Sequence, residues 1–313
     1  MERLIKDKLK IVFVGMPDMA YVCLSNLLKK NFNIVCVVPP CKTHHTYIGF
    51  IEYAKSQNLK IINFDKNPNE EKCIEEIKKL NADIGVVCSY NFKLSEDFLS
   101  TTRLGYINCH PSLLPDYRGA MPYFHIIKNG EKISGITLHF MDKTFDTGDI
   151  IYQETFDILP WENMGTLFNR TNYMISDALI KVLEDYENGI DFKRIPQPKD
   201  STFIKAPKTE GNLKIRWNKK AEEISCLIRA CNPFFNAFTK FRETPAKILK
   251  AKPIKCSHNL KYGQIAQVSE KKLYIACLDG FLSVEIIQLS TWGVFDSEDF
   301  YNTFTPTTEE FFE

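Results

Sequence analysis

Short apolar runs alternate with amphipathic segments through the first half of the chain. Lys10 to Gly15 (K-I-V-F-V-G) reads as a buried strand. Met19 to Lys30 reads as a helix whose closing lysines suit the negative end of its dipole. Asn33 to Val38 predicts a second strand, Tyr47 to Gln57 a helix, Lys60 to Phe64 a third strand and Asn69 to Leu80 another helix. Ile84 to Ser89 and Tyr106 to Cys109 follow as strands. Alternation of this kind predicts an α/β fold, a mostly parallel sheet with helices on both faces. Ligands in such sheets bind beyond the carboxyl ends of the strands.

Two longer strand patterns come next, Ile133 to Met141 and Asp149 to Ile158, then a helix from Met164 to Tyr186. Between Ile195 and Gly211 the periodicity lapses, and Pro196, Pro198 and Pro207 interrupt a polar stretch that reads as a linker. The predicted organisation is therefore a catalytic domain over 1–194, a linker over 195–211 and a smaller domain over 212–313. The last part opens with a helix, Ala221 to Ala230. Short strands follow at Ala237 to Phe241, Ala246 to Lys250, Gly263 to Val268, Lys272 to Ala276 and Phe281 to Leu289. Regularly spaced strands with a turn at Asp279-Gly280 predict a small β-rich barrel.

Composition narrows the class without changing this picture. The 313 residues are 44% hydrophobic, which excludes disordered and low-complexity chains. A formal charge of +1 gives no bulk field to steer the chain to nucleic acid or membrane. The charged start, without a signal peptide or a long apolar run, predicts a cytoplasmic protein with no membrane partner. Ten cysteines with no C-x-x-C spacing, several inside apolar runs, read as reduced, buried thiols rather than disulfides. His125 and His139 invite a metal site with His110, but no ligand pair has a metal-like spacing, so no metal is expected. The turn V-G-M-P-D after the first strand lacks the glycines of a dinucleotide fingerprint.

Candidate chemistry concentrates in residues 105–150. The run G-Y-I-N-C-H-P-S-L-L-P-D-Y-R-G ends a strand with Asn108 and His110 two apart, so their side chains leave on one face. Pro111 stops the ladder there. A later F-D-T-G-D places Asp146 between two strands. An amide to bind an oxyanion, an imidazole to move a proton and a carboxylate to fix the imidazole tautomer make a set for acyl transfer. Each residue also has a plain structural use: Asn108 in a turn, His110 as a bonded core histidine, Asp146 in an Asx-turn with Thr147 and Gly148.

The Asn-x-His-x-Ser-Leu-Leu-Pro stretch with its later Asp-x-Gly resembles the folate-dependent formyltransferases. The tail segments R-A-C-N-P-F-F-N-A-F-T, Y-G-Q-I and L-D-G-F-L-S-V resemble the C-terminal domain found in the tRNA-acting branch. The resemblance implies a Rossmann-like catalytic domain with an OB-like barrel behind it. It also implies 10-formyltetrahydrofolate as co-substrate, tetrahydrofolate as product, and a primary amine as acceptor. Carried over, the catalytic set is Asn108, His110 and Asp146. Folate contacts map to Tyr90, Asn91, Phe92, Lys93 and Leu94, to Asp142, Lys143, Thr144 and Gly148, and to the wall formed by Ser112, Leu113, Leu114 and Pro115.

The acceptor divides the family. The segment after the second strand, V-V-P-P-C-K-T-H-H-T-Y, is short, with Lys42 as its only formal cation, and S-Y-N-F-K-L-S departs from the tRNA enzymes' pattern. Both favour a nucleotide-linked amino sugar, held near Met16, Asp18, His44, His45 and Tyr47, with Arg118 a further candidate. Lysines 247, 250, 252, 255 and 261 offer a basic face that would suit the alternative acceptor, initiator methionyl-tRNA. Hydrolysis of the folate donor by the same residues is a third reading, and a homodimer is compatible with the sequence.

Overall fold

A computed structural model describes residues 8–40, 45–198, 203–266, 271–290 and 293–313. The chain forms two compact units, Met1–Gly119 with Ser134–Phe156 and Asn169–Ile204, and Ala120–Ile133 with Asp157–Phe168 and Lys205–Glu313. Its elements run β1 (Lys10–Gly15), α1 (Met19–Lys29), β2 (Asn33–Val38), α2 (His45–Ser56), α3 (Glu71–Lys78), β3 (Ile84–Cys88), α4 (Glu96–Leu99), β4 (Tyr106–His110) and β5 (Arg118–Gly119). There follow α5 (Pro122–Lys128), β6 (Ile133–Phe140), β7 (Ile150–Asp157), α6 (Met164–Glu187), β8 (Phe203–Ile204), α7 (Thr209–Asn212) and α8 (Ala221–Cys231). The chain closes with β9 (Ala237–Phe241), β10 (Thr244–Lys255), β11 (Ile265–Ala266), β12 (Leu273–Ala276), β13 (Gly280–Leu289), β14 (Gly293–Asp296) and α9 (Ser297–Phe304).

The first unit is built on a sheet of order β2-β1-β3-β4-β6-β7. Its β1–β2, β1–β3 and β3–β4 pairs are parallel, and β6 joins β4 antiparallel. Every residue of β3 is buried, as a strand covered on both faces requires. Alternation along β1 divides the core in two. Ile11 and Phe13 pack with Leu24 of α1 and Leu179 and Leu183 of α6, whereas Val12 and Val14 pack with Ile74 and Ile77 of α3 and Phe98 of α4. The expected strand at Lys60 to Phe64 pairs with β2 only through the Val37–Ile61 bridge. The cause lies just beyond it, where the Glu70 carboxylate accepts the backbone N–H groups of Asp65, Lys66 and Asn67 at 3.0, 2.6 and 3.1 Å and turns the chain away.

Residues 195–204, expected within a linker, are fastened to the first unit. Ile195 and Ile150 exchange both backbone hydrogen bonds at 2.9 Å, and β8 pairs with β5. Proline and the lapse of periodicity hid these attachments, because they run through backbone groups and one glutamine rather than through an apolar stripe.

In the second unit, β11-β12-β13-β10-β9 form an antiparallel sheet with β14 on β13. The chain's last residues join its two ends: Glu313 exchanges backbone bonds with Lys240 at 3.1 Å, and Ile265 N–H donates to Glu310 at 3.0 Å. Edges that would otherwise invite another strand are thereby paired. The described cysteines are unpaired thiols, and all except Cys256 are buried. Among the described residues no helix is long and apolar enough to cross a membrane.

Tyr106, which opens β4, ties the two functions of that strand together. Its ring is fully buried, 5.3 Å from Phe98, and its hydroxyl shares a 2.7 Å hydrogen bond with Thr101. A Cβ on Gly85 of the neighbouring strand would lie 2.0 Å from this ring. Gly85→Ala should therefore destabilise the protein by about 1–3 kcal/mol through overpacking, as read by urea unfolding. A neutral result would mean that the β3–β4 packing is slack.

Candidate active site

The register of β4 against β6 sets the site. Asn108 lies opposite His139 and His110 opposite Thr137, so all four side chains share one face of the sheet. His139 Nδ1 faces the Phe140 carbonyl oxygen at 2.8 Å, and a carbonyl only accepts, so the ring proton sits on Nδ1. The bare Nε2 then accepts one hydrogen of the Asn108 amide at 3.0 Å. The second amide hydrogen goes to Asp146 Oδ1 at 3.2 Å. Asp146 Oδ2 accepts the backbone N–H of Gly119 at 2.8 Å.

His110 is held differently from the sequence expectation. Its Nε2 donates to the Tyr117 carbonyl oxygen at 3.0 Å, which fixes the tautomer with Nδ1 bare. That Nδ1 lies 3.6 Å from Asp146 Oδ1, close enough to feel the carboxylate and too far to be oriented by a hydrogen bond. The backbone carbonyl, not the carboxylate, selects the tautomer. The Asx-turn considered for Asp146 is formed instead by Asp142, whose Oδ1 accepts from Thr144 N–H at 2.8 Å and from the Thr144 and Thr147 hydroxyls at 2.9 and 2.7 Å. Asp146 itself adopts a left-handed backbone conformation, φ 57°, that lifts its side chain toward Asn108 and His110.

Burial pushes the His110 imidazole below its ordinary value, and the upward pull of Asp146 does not offset it. For Asp146 the balance is reversed. Burial favours its neutral acid, but His110, His139 and the Gly119 N–H outweigh that and hold it well below the usual carboxylate range. Near neutral pH a neutral imidazole therefore faces an ionised carboxylate, with an amide between His139 and that carboxylate. This is equipment for acyl transfer: a proton acceptor, a charge that stabilises the imidazolium once formed, and a hydrogen-bond donor for an oxyanion.

The other expected residues are distributed unevenly. Met16 and Tyr47 meet, the Tyr47 hydroxyl lying 3.8 Å from the Met16 sulfur, and Asp18 is exposed just before α1. Residue His44 falls outside the described residues, as does the side chain of His45. Tyr90 and Phe92 pack at 5.6 Å, with the Tyr90 hydroxyl on the Pro39 carbonyl, while Leu94 is buried and Asn91 and Lys93 are exposed. Lys143 and Thr144 are exposed on the Asp142 turn.

Ser112 and Leu114 turn inward. The Ser112 hydroxyl donates to the Asp116 carbonyl at 2.7 Å, and the Leu114 N–H donates to Thr137 Oγ1 at 3.2 Å. Leu113 packs on the backbone of β6, where a Cβ at Gly135 would strike it at 2.2 Å, and Pro115 is partly exposed. Gly148 leaves no room for a side chain, since its Cβ would lie 1.9 Å from the Phe140 carbonyl oxygen. Arg118 is 3% exposed and spends its guanidinium on Gln197 and the Pro198 carbonyl. Arg118, the further substrate-binding candidate, thus sits in an internal hydrogen-bond network. In the second unit, Lys250 and Lys252 share the Glu285 carboxylate at 2.9 and 2.5 Å, which removes part of the expected basic face.

His139 and Tyr117 were not legible as site residues. The alternation Thr137-x-His139 opposite Asn108-x-His110 was the available signal, but it needs the antiparallel register to be read.

The family profile described as "Formyl transferase" matches residues 9–183, and "Formyl transferase, C-terminal domain" matches 208–305. The methionyl-tRNA formyltransferase of Flavobacterium johnsoniae is 32% identical over 293 residues, covering 90% of this chain and 92% of that one. That of Clostridium tetani is 35% identical over 289 residues, with the same shares. Among solved structures, the Helicobacter canadensis N-formyltransferase with folinic acid and dTDP-3-aminofucose superposes with a TM-score of 0.68 at 23% identity, covering 88% of this chain and 98% of that one. The sugar 3N-formyl transferase WlaRD, with dTDP and 5-N-formyl-THF, gives 0.66 at 23%, covering 90% and 98%. An α/β unit with an acyl-transfer set is thus joined by a matching profile over more than half of its length. The chain belongs to the formyl transferase family and is a one-carbon, formyl-transferring enzyme.

The two shifted groups make stability depend on acid. His110 has a folded value below the about 6.5 of an unfolded histidine, so the unfolded chain binds the extra proton as pH falls below that value. Unfolding free energy should therefore decline from about pH 7 to 5, and His110→Asn should flatten that decline in denaturant titrations at each pH. An unchanged slope would mean that His110 is protonated in the folded protein.

Proposed function

We propose that the chain transfers a formyl group from 10-formyltetrahydrofolate to the α-amine of methionyl-tRNA. The supporting observation is that methionyl-tRNA formyltransferases 32–35% identical to this chain align with about nine-tenths of it. The donor is supported by structural neighbours crystallised with 5-N-formyl-THF, with folinic acid or, for HypX of Aquifex aeolicus, with tetrahydrofolic acid. On that likeness the proposal reverses the preference drawn from the short segment after β2, whose residues 41–44 lie outside the described residues.

The geometry supports the following steps. The neutral amine adds to the formyl carbon, and the carbonyl electron pair moves onto oxygen. Asn108 can answer that charge by giving up its longer, 3.2 Å bond to Asp146 while His139 keeps the amide oriented at 3.0 Å. The proton lost by the amine goes to His110 Nδ1, the bare nitrogen, where Asp146 at 3.6 Å stabilises the imidazolium. His110 then returns it to N10 of the folate as the C–N10 bond breaks, leaving the formylated amine and tetrahydrofolate. The Tyr90–Leu94 segment and the Asp142–Thr144 turn are the proposed pterin-binding backbone.

A nucleotide-linked amino sugar is the second reading, favoured by the two sugar-acting neighbours and by the meeting of Met16 and Tyr47 beyond β1. Donor consumption measured with methionyl-tRNA and with a panel of dTDP- and UDP-amino sugars separates the two. Turnover on tRNA, weakening steeply with salt, is the expected result; turnover on one sugar and none on tRNA would replace it. Loss of donor without any amine would point to hydrolysis. Asn108→Ala and His110→Ala should fold and lose about 10²–10³ in kcat, the usual cost of one oxyanion donor or proton carrier. Near-normal turnover in His110→Ala would remove it from the mechanism.

A further inference from the structure

Behind the Asp146 loop, one glutamine from the segment that read as a linker holds two parts of the site at once. Gln197 directs its side-chain amide hydrogens to the carbonyl oxygens of Asp146 and Gly148, at 3.1 and 2.7 Å. Its own carbonyl oxygen accepts from Arg118 Nε at 3.2 Å and from a terminal guanidinium nitrogen at 2.7 Å. Arg118 is buried in β5, and the next residue of that strand, Gly119, gives its N–H to Asp146 Oδ2 at 2.8 Å. The loop backbone is thus held by Gln197 directly, and the carboxylate is held by a strand that Gln197 fixes through Arg118.

The hold matters because it acts on the loop backbone, whereas the Asp142–Thr147 bond and the Asn108 and Gly119 donors engage side chains of the loop. Asp146 sits in a left-handed conformation that an L-residue adopts only when its surroundings impose it. Gly148 lies against the Phe140 carbonyl too closely for any side chain, so the loop backbone must approach β6 at a set height. Without the glutamine hydrogens, the carbonyl oxygens of Asp146 and Gly148 lose these donors, and the arginine loses an acceptor. Asp146 then keeps the Asn108 amide and the Gly119 N–H on its side chain but loses the backbone hold that sets Oδ1 3.2 Å from Asn108 and 3.6 Å from His110 Nδ1.

We infer that Gln197 is a positioning residue for formyl transfer, setting Asp146 against His110 and Asn108 by clamping the 146–148 loop and Arg118 together. The inference rests on the proposed role of Asp146 in the reaction.

Two substitutions test it. Gln197→Glu keeps an acceptor for Arg118 but has no hydrogens for the two loop carbonyls. Gln197→Met keeps the length and removes both halves of the clamp. Both should lower kcat by about 10–100-fold while the KM for 10-formyltetrahydrofolate stays within about threefold. Hydrogen exchange at the Gly119 amide, which reports the bond to Asp146 without any assay of activity, should accelerate in both. Wild-type kcat and unchanged Gly119 exchange in Gln197→Glu would overturn the inference. So would a loss confined to KM and thermal stability. Asp146→Asn is the comparator: if it retains full turnover, the role of Asp146 fails, while Gly119 exchange in the Gln197 variants still judges the clamp.

Discussion

Burying a carboxylate in its ionised form is costly unless its oxygens meet donors or positive charge. At Asp146, only 9% exposed, the Asn108 amide and the Gly119 N–H supply the donors, and two imidazoles stand 3.6 Å away. Each imidazole is itself fixed by a backbone carbonyl: Phe140 sets the His139 tautomer and Tyr117 sets that of His110. The proton positions around the carboxylate are therefore decided by the fold before any substrate arrives. That is a form of preorganisation suited to acyl transfer: the imidazole tautomers are already set, and the longer Asn108–Asp146 bond is the one contact to be exchanged as charge develops.

The same constraint is met where an antiparallel strand, β6, joins the parallel strands at β4. An antiparallel partner for β4 places residues directly opposite one another, so Asn108 finds His139 across the ladder and His110 finds Thr137. Thr137 then spends its hydroxyl on the Ser112 carbonyl at 2.6 Å and accepts the Leu114 N–H, pinning the turn that carries the chain away from His110. The S-L-L-P stretch is in this sense part of the foundation of the strand that carries Asn108 and His110.

Much of this was legible in the chain. Lys10 to Gly15 and Asn33 to Val38 are readable as strands with the bounds observed, because strands covered on both faces are nearly continuous apolar runs. Asn108 and His110 were readable as a same-face pair because a strand has period two, and proline marks where β4 must end. The partners that set their chemistry were not. Tyr117 acts through its carbonyl oxygen, which every residue has, and His139 becomes a partner only through register. Gln197 is silent for the same reason: a single amide in a proline-interrupted stretch has no periodicity to announce it. For the wall expected from Ser112 and Leu114, the sequence records polarity and size but not that Asp116 and Thr137 take their hydrogen bonds.

The central claim is that an ionised Asp146 faces a neutral His110 carrying its proton on Nε2. Two-bond proton–nitrogen NMR of the histidine-labelled protein, with His110→Asn used to assign the signals, tests it most directly. The account predicts a His110 that is singly protonated on Nε2 at neutral pH and titrates below the about 6.5 of an ordinary histidine. A His110 that is doubly protonated at neutral pH, or that carries its proton on Nδ1, would contradict it.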